Sequence, residues 1–219
     1  MPDITSLLAR SEPTKWLFTG DSITHGALHT MGWRDYTEHF TERVRWELQR
    51  TRDVVIKTGI SGWTIRHIAD DLDWNVLQFK PDCVSINVGM NDCNQGAAGL
   101  ESFHSTYLET IDRIRAATGA VVLLHTPNGI LPTTNGTRLE HLGAYAEVVR
   151  RLAVKTGSLL VDHYAEWQAT GMNGGTHSWM SDGCHPNEYG HRVMAFTLFH
   201  ALGIWDDASL VCRLPVYRV

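Results

Sequence analysis

Five apolar runs of strand length alternate with stretches of helical periodicity along this chain. The runs are residues 15–19, 54–57, 83–88, 120–125 and 158–162. Their Val, Ile and Leu residues largely follow one another, which is typical of strands buried on both faces of a sheet. Helices are predicted at 33–50, 64–72, 100–118 and 137–156, and a last one from Pro186–Asn187 to about Leu202. The alternation predicts an α/β fold, with a five-stranded parallel sheet and helices on both faces.

The length of the chain suits this fold as a single unit. Its 219 residues are enough for one domain with a complete core, although length alone also admits two small domains. We expect one domain over residues 1–219, with the core at about 15–203. The tail at 206–219 has no clear period and would pack on the domain or on a partner subunit. Nothing in the sequence indicates a homo-oligomer, and nothing excludes one.

Composition excludes several classes of partner. The net charge is −5 and the pI is about 6.2, so we expect no nucleic-acid or anionic-membrane partner, since both favour basic surfaces. No apolar run approaches the roughly 20 residues that span a bilayer. The first residues lack the basic and apolar regions of a secretory signal, which predicts a cytoplasmic protein unless a signal was removed. The four cysteines show no CxxC spacing and are predicted to be free thiols.

Polar segments follow the predicted strands where a parallel sheet would bind a ligand. In such sheets the ligand lies outside the carboxyl ends of the strands. The segments that come next in the sequence are Asp21-Ser22, residues 59–64, residues 89–92 and residues 126–128. The turns before the strands carry no comparable residues. One edge of the sheet is therefore predicted to carry the chemistry.

Ser22, Asp182 and His185 are the candidate catalytic residues. A serine needs a neighbouring base to attack a substrate, and an imidazole that titrates near neutral pH can serve as that base. Asp182 would accept the second ring N–H of His185 and fix its tautomer. The alternatives are an N-cap role for Ser22 and an Asp-Gly turn before a Pro-initiated helix for the 182–186 segment. That turn leaves His185 unexplained.

An ester hydrolase also needs donors for the oxyanion that forms during acyl transfer. The candidates are the backbone N–H groups of Ser22 and Gly62 and the side-chain amide of Asn91. Gly62 lets the backbone approach the substrate without a side chain, and Asn91 supplies an NH2 group. The alternative role of Gly62 is a plain turn after the second strand, and that of Asn91 is a capping residue for the following segment.

Four blocks in the sequence resemble the SGNH (GDSL) hydrolase family of esterases and lipases. They are Gly20-Asp21-Ser22, Gly59-Ile60-Ser61-Gly62, Gly89-Met90-Asn91-Asp92 and Asp182-Gly183-Cys184-His185-Pro186. The residues that give the family its name fall on Ser22, Gly62, Asn91 and His185. The resemblance implies a flavodoxin-like three-layer α/β/α sandwich with five parallel strands, a serine-dependent ester hydrolase, no metal and no cofactor. The α/β-hydrolase pattern G-x-S-x-G does not match at Ser22.

The substrate is predicted from one loop and the surroundings of the nucleophile. Residues 165–181 are expected to form an irregular loop near the site, carrying Trp167, Asn173, His177, Ser178 and Trp179. Tryptophans with polar neighbours suit stacking on a sugar ring. Asp21, Trp63 and Trp179 are the candidate substrate contacts. We expect a short acyl ester, acetyl above all, of a carbohydrate or another small polar alcohol, with a lipase, thioesterase or arylesterase as the alternative within the family.

Three other interpretations of the sequence are weaker. His25 and His29 are four residues apart, which could place two metal ligands on one helix face, but no acidic cluster accompanies them. Cys184 adjoins His185 and could be a nucleophile, but no second base is evident. A non-catalytic flavodoxin-like binding module would need the Gly-rich phosphate loop that the chain lacks.

Overall fold

Five parallel strands form the centre of the protein. A computed structural model describes residues 4–171 and 175–216. Its strands are β1 (Lys15–Gly20), β2 (Val54–Lys57), β3 (Cys83–Asn87), β4 (Val121–His125) and β5 (Leu159–Val161), in the spatial order β2-β1-β3-β4-β5. This is the flavodoxin-like order, in which the chain reverses direction across the sheet between β1 and β3. The predicted fold is confirmed.

Helices cover both faces of the sheet. Those of the described residues are α1 (Ile4–Ala9), α2 (Ser22–His25), α3 (Tyr36–Thr41), α4 (Ile65–Asp70), α5 (Leu72–Asn75), α6 (Leu100–Thr118), α7 (Gly136–Thr156), α8 (His163–Gly171) and α9 (Glu188–Leu202). The helix α3 packs against α9 on one face, and α6 packs between α4 and α7 on the other. The central strands are the most deeply buried, since every residue of β3 is buried. None of these helices combines the length and apolar composition that crossing a membrane requires.

The helix predicted to start at residue 33 begins later. Asp35 caps α3 by accepting hydrogen bonds from the backbone N–H groups of Thr37 and Glu38, while Glu38 accepts from the Asp35 backbone. This reciprocal capping box fixes the start at Tyr36. The helix then continues as a π-helical segment (Glu42–Glu47).

The segment 165–181 is not the irregular loop that we predicted. Residues up to 171 belong to α8, and Gly175–Trp179 forms a 3-10 helix; Asn173 lies outside the described residues. His163 and Trp167 are the buried residues of α8 over 163–170. One polar and one apolar buried residue, one turn apart, give no periodic apolar pattern that would reveal a helix in the sequence.

The C-terminal tail packs on the domain. The carboxylate of Glu47 accepts hydrogen bonds from the Ser209 hydroxyl and from the backbone N–H groups of Leu210 and Val211. Val211 and Cys212 are buried. Residues 209–211 thereby lie against the π-helical segment, and the Pro215 carbonyl accepts a hydrogen bond from Arg192 of α9.

Candidate active site

The turn from β1 into α2 presents Ser22 at the carboxyl edge of the sheet. The strand ends at Gly20, and Ser22 is the first residue of α2. The Oδ1 atom of Asp21 accepts from the Ile23 backbone N–H at 3.0 Å. Asp21 is therefore the N-cap. The capping role considered for Ser22 is taken by its neighbour, which leaves the Ser22 hydroxyl available for another partner.

Two glycines allow the backbone to close tightly around this turn. A Cβ atom on Gly20 would lie 2.3 Å from the carbonyl oxygen of Asn87, so the turn passes directly over the end of β3. A Cβ atom on Gly59 would lie 2.8 Å from the backbone nitrogen of His25. The loop after β2 can therefore approach α2 only with glycine at this position.

Ser22, His185 and Asp182 form a continuous chain of hydrogen bonds. The Oγ atom of Ser22 lies 2.9 Å from Nε2 of His185, and Nδ1 of His185 lies 2.7 Å from Oδ2 of Asp182. An ionised carboxylate can only accept, so Nδ1 carries the proton and Nε2 can accept from the serine hydroxyl. The structure thus brings together the three predicted residues in the arrangement of a nucleophile, a base and an orienting acid.

Local hydrogen bonds keep Asp182 ionised. Burial alone would raise the pKa of its carboxyl group, but bonds from the backbone N–H groups of Cys184 and His185 and from the His185 ring outweigh it and lower the pKa to about 2. Both backbone bonds are 2.8 Å long and end on Oδ1. Oδ2 remains free to hold the His185 ring.

A second histidine supports the ring of His185. The His29 imidazole stacks on it, with ring centroids 4.8 Å apart and planes 21° apart. On its other side, Nε2 of His29 lies 3.0 Å from Nε2 of His191, whose Nδ1 accepts from the Tyr36 backbone N–H. His191 must then donate through Nε2 when neutral. Burial, with a smaller effect of the nearby His185, lowers the pKa of His29 to about 4, so a neutral ring lies against His185.

The predicted oxyanion donors lie around one cavity of about 610 Å³. As the first residue of α2, Ser22 has a backbone N–H with no partner within the helix. Gly62 has a φ of 85° and no atom within 4 Å of where its Cβ would lie. The Nδ2 atom of Asn91 donates one hydrogen to the Trp63 carbonyl at 3.0 Å. The cavity is lined by Ser22, Ala27, Leu28, His29, Met31, Ser61, Gly62, Met90, Asn91, Arg138, Ser181, Asp182 and His185.

Comparison with known proteins assigns this arrangement to a family. Residues 18–193 match the GDSL-like lipase/acylhydrolase family. The chain belongs to this family. An acetylxylan esterase from Geobacillus stearothermophilus is 27% identical over 210 residues, which cover 86% of this chain and 94% of that protein. The protein is therefore a carboxylic ester hydrolase.

Solved structures agree with the family fold. A variant of the Geobacillus stearothermophilus acetylxylan esterase superposes with a TM-score of 0.74 at 25% identity, covering 90% of this chain and 97% of that chain. A structure described as an alpha/beta hydrolase enzyme from the metagenome of Lake Arreo, Spain, gives a TM-score of 0.77 at 23% identity, over 92% of this chain and 100% of the other. The three-layer sandwich of this GDSL-like hydrolase is shared by both.

The three predicted substrate contacts do not line the cavity of the hydrolase. Asp21 is only 1% exposed and points into the turn that it caps. Trp179 is buried edge-on against Trp167, with ring centroids 5.1 Å apart. The Trp63 ring stacks on His67, and only its backbone carbonyl reaches the site. Asp21 and Trp179 are buried and have structural roles, so their assignment as substrate contacts is corrected. A substrate contact of the half-buried Trp63 stays a prediction.

Sequence reasoning missed other residues of the cavity. Leu28 and Met31 lie on the loop after α2, and Ser181 donates its hydroxyl to the His29 carbonyl. Arg138, from the first turn of α7, hydrogen-bonds to Met90, Asn91 and Cys184. No short motif marks these residues, because they reach the site from three separate segments of the chain.

The structure does not support His25 and His29 as a pair of metal ligands, or Cys184 as a nucleophile. Nδ1 of His25 lies 3.0 Å from the Ser61 hydroxyl, whereas His29 lies between His185 and His191, so the two do not face one point. Burial raises the pKa of the Cys184 thiol to about 11 despite the opposing charge of Arg138. A protonated thiol is a poor nucleophile.

Proposed function

We propose that this hydrolase is a serine esterase that removes short acyl groups, acetyl above all, from a carbohydrate or another small polar alcohol. The observation that carries the proposal is the hydrogen-bonded chain of Ser22, His185 and Asp182, which opens onto a cavity shared with Gly62 and Asn91. The acetylxylan esterase relative, which this chain matches over nearly the whole length of that protein, supports the choice of substrate.

The proposed reaction has two acyl-transfer steps. The Ser22 oxygen attacks the ester carbonyl carbon while Nε2 of His185 takes the hydroxyl proton. The N–H groups of Ser22 and Gly62 and the amide of Asn91 stabilise the oxyanion. The carbon–oxygen bond to the alcohol breaks, and His185 protonates the departing oxygen. A water molecule then attacks the acyl-serine carbonyl carbon and gives a proton to His185. The bond to the Ser22 oxygen breaks and His185 returns the proton to that oxygen, which releases the acid and the free serine.

A second candidate within the family is an esterase of longer or aromatic acyl groups. One observation favours it: Leu28 and Met31 are 94% and 76% exposed on the rim of the cavity. Exposed apolar side chains beside a nucleophile could bind an acyl chain. The sugar-stacking argument from Trp179 does not apply, since that ring is buried.

A series of acyl esters tests the choice between these substrates. We expect kcat/KM on p-nitrophenyl esters to fall from acetyl to octanoyl, and acetylated xylo-oligosaccharides to release acetate. A rise in kcat/KM with chain length would favour the second candidate and leave the triad in place.

A serine substitution tests the chemistry itself. Ser22→Ala should lose at least about 10³-fold in kcat, as substitution of nucleophilic serines does, and should no longer be labelled by a fluorophosphonate. Ser105→Ala, which removes an exposed hydroxyl on α6, is the matched control and should keep parental activity. Parental hydrolysis by Ser22→Ala would refute the assignment.

A further inference from the structure

The side-chain amide of Asn91 is held at both ends by groups of opposite polarity. Its Nδ2 donates to the Trp63 carbonyl at 3.0 Å, and its Oδ1 accepts from Nη2 of Arg138 at 3.2 Å. A carbonyl can only accept and a guanidinium can only donate. Turning the amide by 180° would therefore break both bonds. The present orientation leaves the second Nδ2 hydrogen free to serve an oxyanion.

The guanidinium of Arg138 also joins two other parts of the site. Its Nε donates to the Met90 carbonyl at 3.1 Å, and its Nη1 lies 3.3 Å from the Cys184 sulfur. Met90 precedes Asn91 in the loop after β3, whereas Cys184 lies between Asp182 and His185. One side chain therefore fixes the loop that carries the amide relative to the segment that carries the acid and the base.

The position of Arg138 is itself fixed by the start of α7. It is the third residue of that helix, and its backbone N–H donates to the N-cap side chain of Asn135 at 2.9 Å. Within the described ranges, no carboxylate lies within ion-pair distance of its guanidinium. Its positive charge therefore acts on the Asn91 carbonyl as well as on its other partners, and this polarises the amide and makes its N–H groups stronger donors.

We infer that Arg138 is a positioning residue for ester hydrolysis: it holds the Asn91 amide with an N–H directed at the developing oxyanion. The inference rests on the proposed function, because it requires Asn91 to act as an oxyanion donor. Arginine suits the task because its planar fork can donate in three directions at once, to Met90, Asn91 and Cys184. A lysine would supply a charge but not this geometry.

A double-mutant cycle on p-nitrophenyl acetate tests the inference. Asn91→Ala should lower kcat by about 10²–10³-fold. Arg138→Met, which keeps the apolar stem, should lower kcat by about 10–100-fold, by analogy with the removal of partners that orient metal ligands, with KM changed less than about threefold. In the Asn91→Ala background, Arg138→Met should change kcat by less than about twofold, because the amide that it orients is gone.

Two further variants separate an effect on positioning from a loss of folding. Arg115→Met removes a similar half-buried arginine that bonds to the Thr156 carbonyl and the Ser158 hydroxyl, and it should keep the parental kcat. Thermal unfolding of each variant shows whether it is folded. If Arg138→Met does not fold, Arg138→Lys takes its place in the cycle, and we expect it to lose at least about fivefold in kcat for lack of the fork.

Each outcome of the cycle is decisive. Equal losses from the Arg138 substitution in both backgrounds would overturn the inference, as would a parental kcat. A loss confined to KM would also overturn it and would indicate that Arg138 contacts the substrate directly. If Asn91→Ala alone keeps the parental kcat, the oxyanion assignment of the proposed function fails first, and the inference fails with it.

Discussion

The carboxyl group of Asp21 lies beside the proposed nucleophile without reaching solvent. Its Oδ1 caps α2, and its Oδ2 has no hydrogen-bond partner among the described residues. Burial, with a smaller contribution from the negative charge of Asp92, raises the pKa of this carboxyl to about 7. The group is therefore largely protonated in weak acid and becomes a buried charge above neutral pH.

An Asp21→Asn substitution should make the protein more stable in mild alkali. The folded-state pKa of Asp21 lies above its unfolded value of 3.8, so the folded state holds the proton more tightly, and stability falls as pH rises from about 4 to about 7. Three pKa units correspond to about 4 kcal/mol. The asparagine keeps the capping oxygen and has no charge. We expect Asp21→Asn to have the higher Tm at pH 8 and little advantage at pH 4.

Asp162 provides the control, because its pKa is shifted in the direction opposite to that of Asp21. Hydrogen bonds, chiefly from Arg150, lower the pKa of Asp162 although burial would raise it. Its contribution to stability is present above the unfolded pKa and is lost as pH falls. Asp162→Asn should therefore lower the Tm at pH 8. A lower Tm for Asp21→Asn at that pH would contradict the account of Asp21.

The sequence predicts the functional side chains that lie in short motifs, but it does not predict those that lie outside them. Ser22, Asp182 and His185 are visible because each sits in a block of characteristic residues. Arg138 and His29 are not, because their importance depends on distances of 3–5 Å to residues far away in the chain. Trp179 misled the substrate prediction because an exposed and a buried tryptophan look alike in a sequence.

The start of α9 links His185, the proposed catalytic base, to the fold. Asn187, two residues after His185, accepts from the backbone N–H groups of Tyr189 and Gly190. Its Nδ2 donates to the carbonyls of Ser178 and Met180. The same side chain thus caps α9 and ties it to the end of the 3-10 helix.

An Asn187→Asp substitution separates these two roles. The aspartate keeps the capping acceptor but faces two carbonyl oxygens with a carboxylate, so we expect a loss of about 1–3 kcal/mol in the free energy of unfolding. Asn135→Asp is the matched control at the exposed N-cap of α7. Its amide donates to the Oδ1 atom of Asn94, an exposed amide that can turn to offer its NH2 group instead, so an added negative charge should be neutral or slightly stabilising. Urea unfolding measures both. Equal effects at the two caps would show that the Asn187 amide donors contribute little.

The elements differ in how far their sequences reveal them. The helix α6 was predicted with its observed limits, because its apolar face repeats over five turns and Gly119 stops it in the left-handed conformation. The helices α1 and α8 are short and are held by isolated buried residues, Leu7 in α1 and Trp167 in α8. Their stability comes from tertiary contacts, which no local pattern reports.

Buried histidines extend from the candidate active site into the core. Tyr36 contacts the rings of His125, His163 and His191, and His191 lies within hydrogen-bond distance of His29, which stacks on His185. Burial lowers the pKa of each imidazole. The pKa values are about 4 for His29 and His39, about 3 for His163 and His191, and well below the ordinary value for His125. In the folded protein these rings are neutral at pH 5.5.

Unfolding at pH 5.5 should therefore take up about three protons. The unfolded histidines, with a pKa near 6.5, are about nine-tenths protonated at this pH, so the five take up between about four and five. Asp21 and Asp92, whose folded pKa values are about 7 and about 6, release between about one and two. Because the unfolded chain binds more protons, stability falls as pH falls from about 6.5 towards 4.

Calorimetric unfolding in buffers of different ionisation enthalpy gives the net proton uptake, which Asp21→Asn should raise by about one proton. A net release would show that the histidines are already charged in the folded protein.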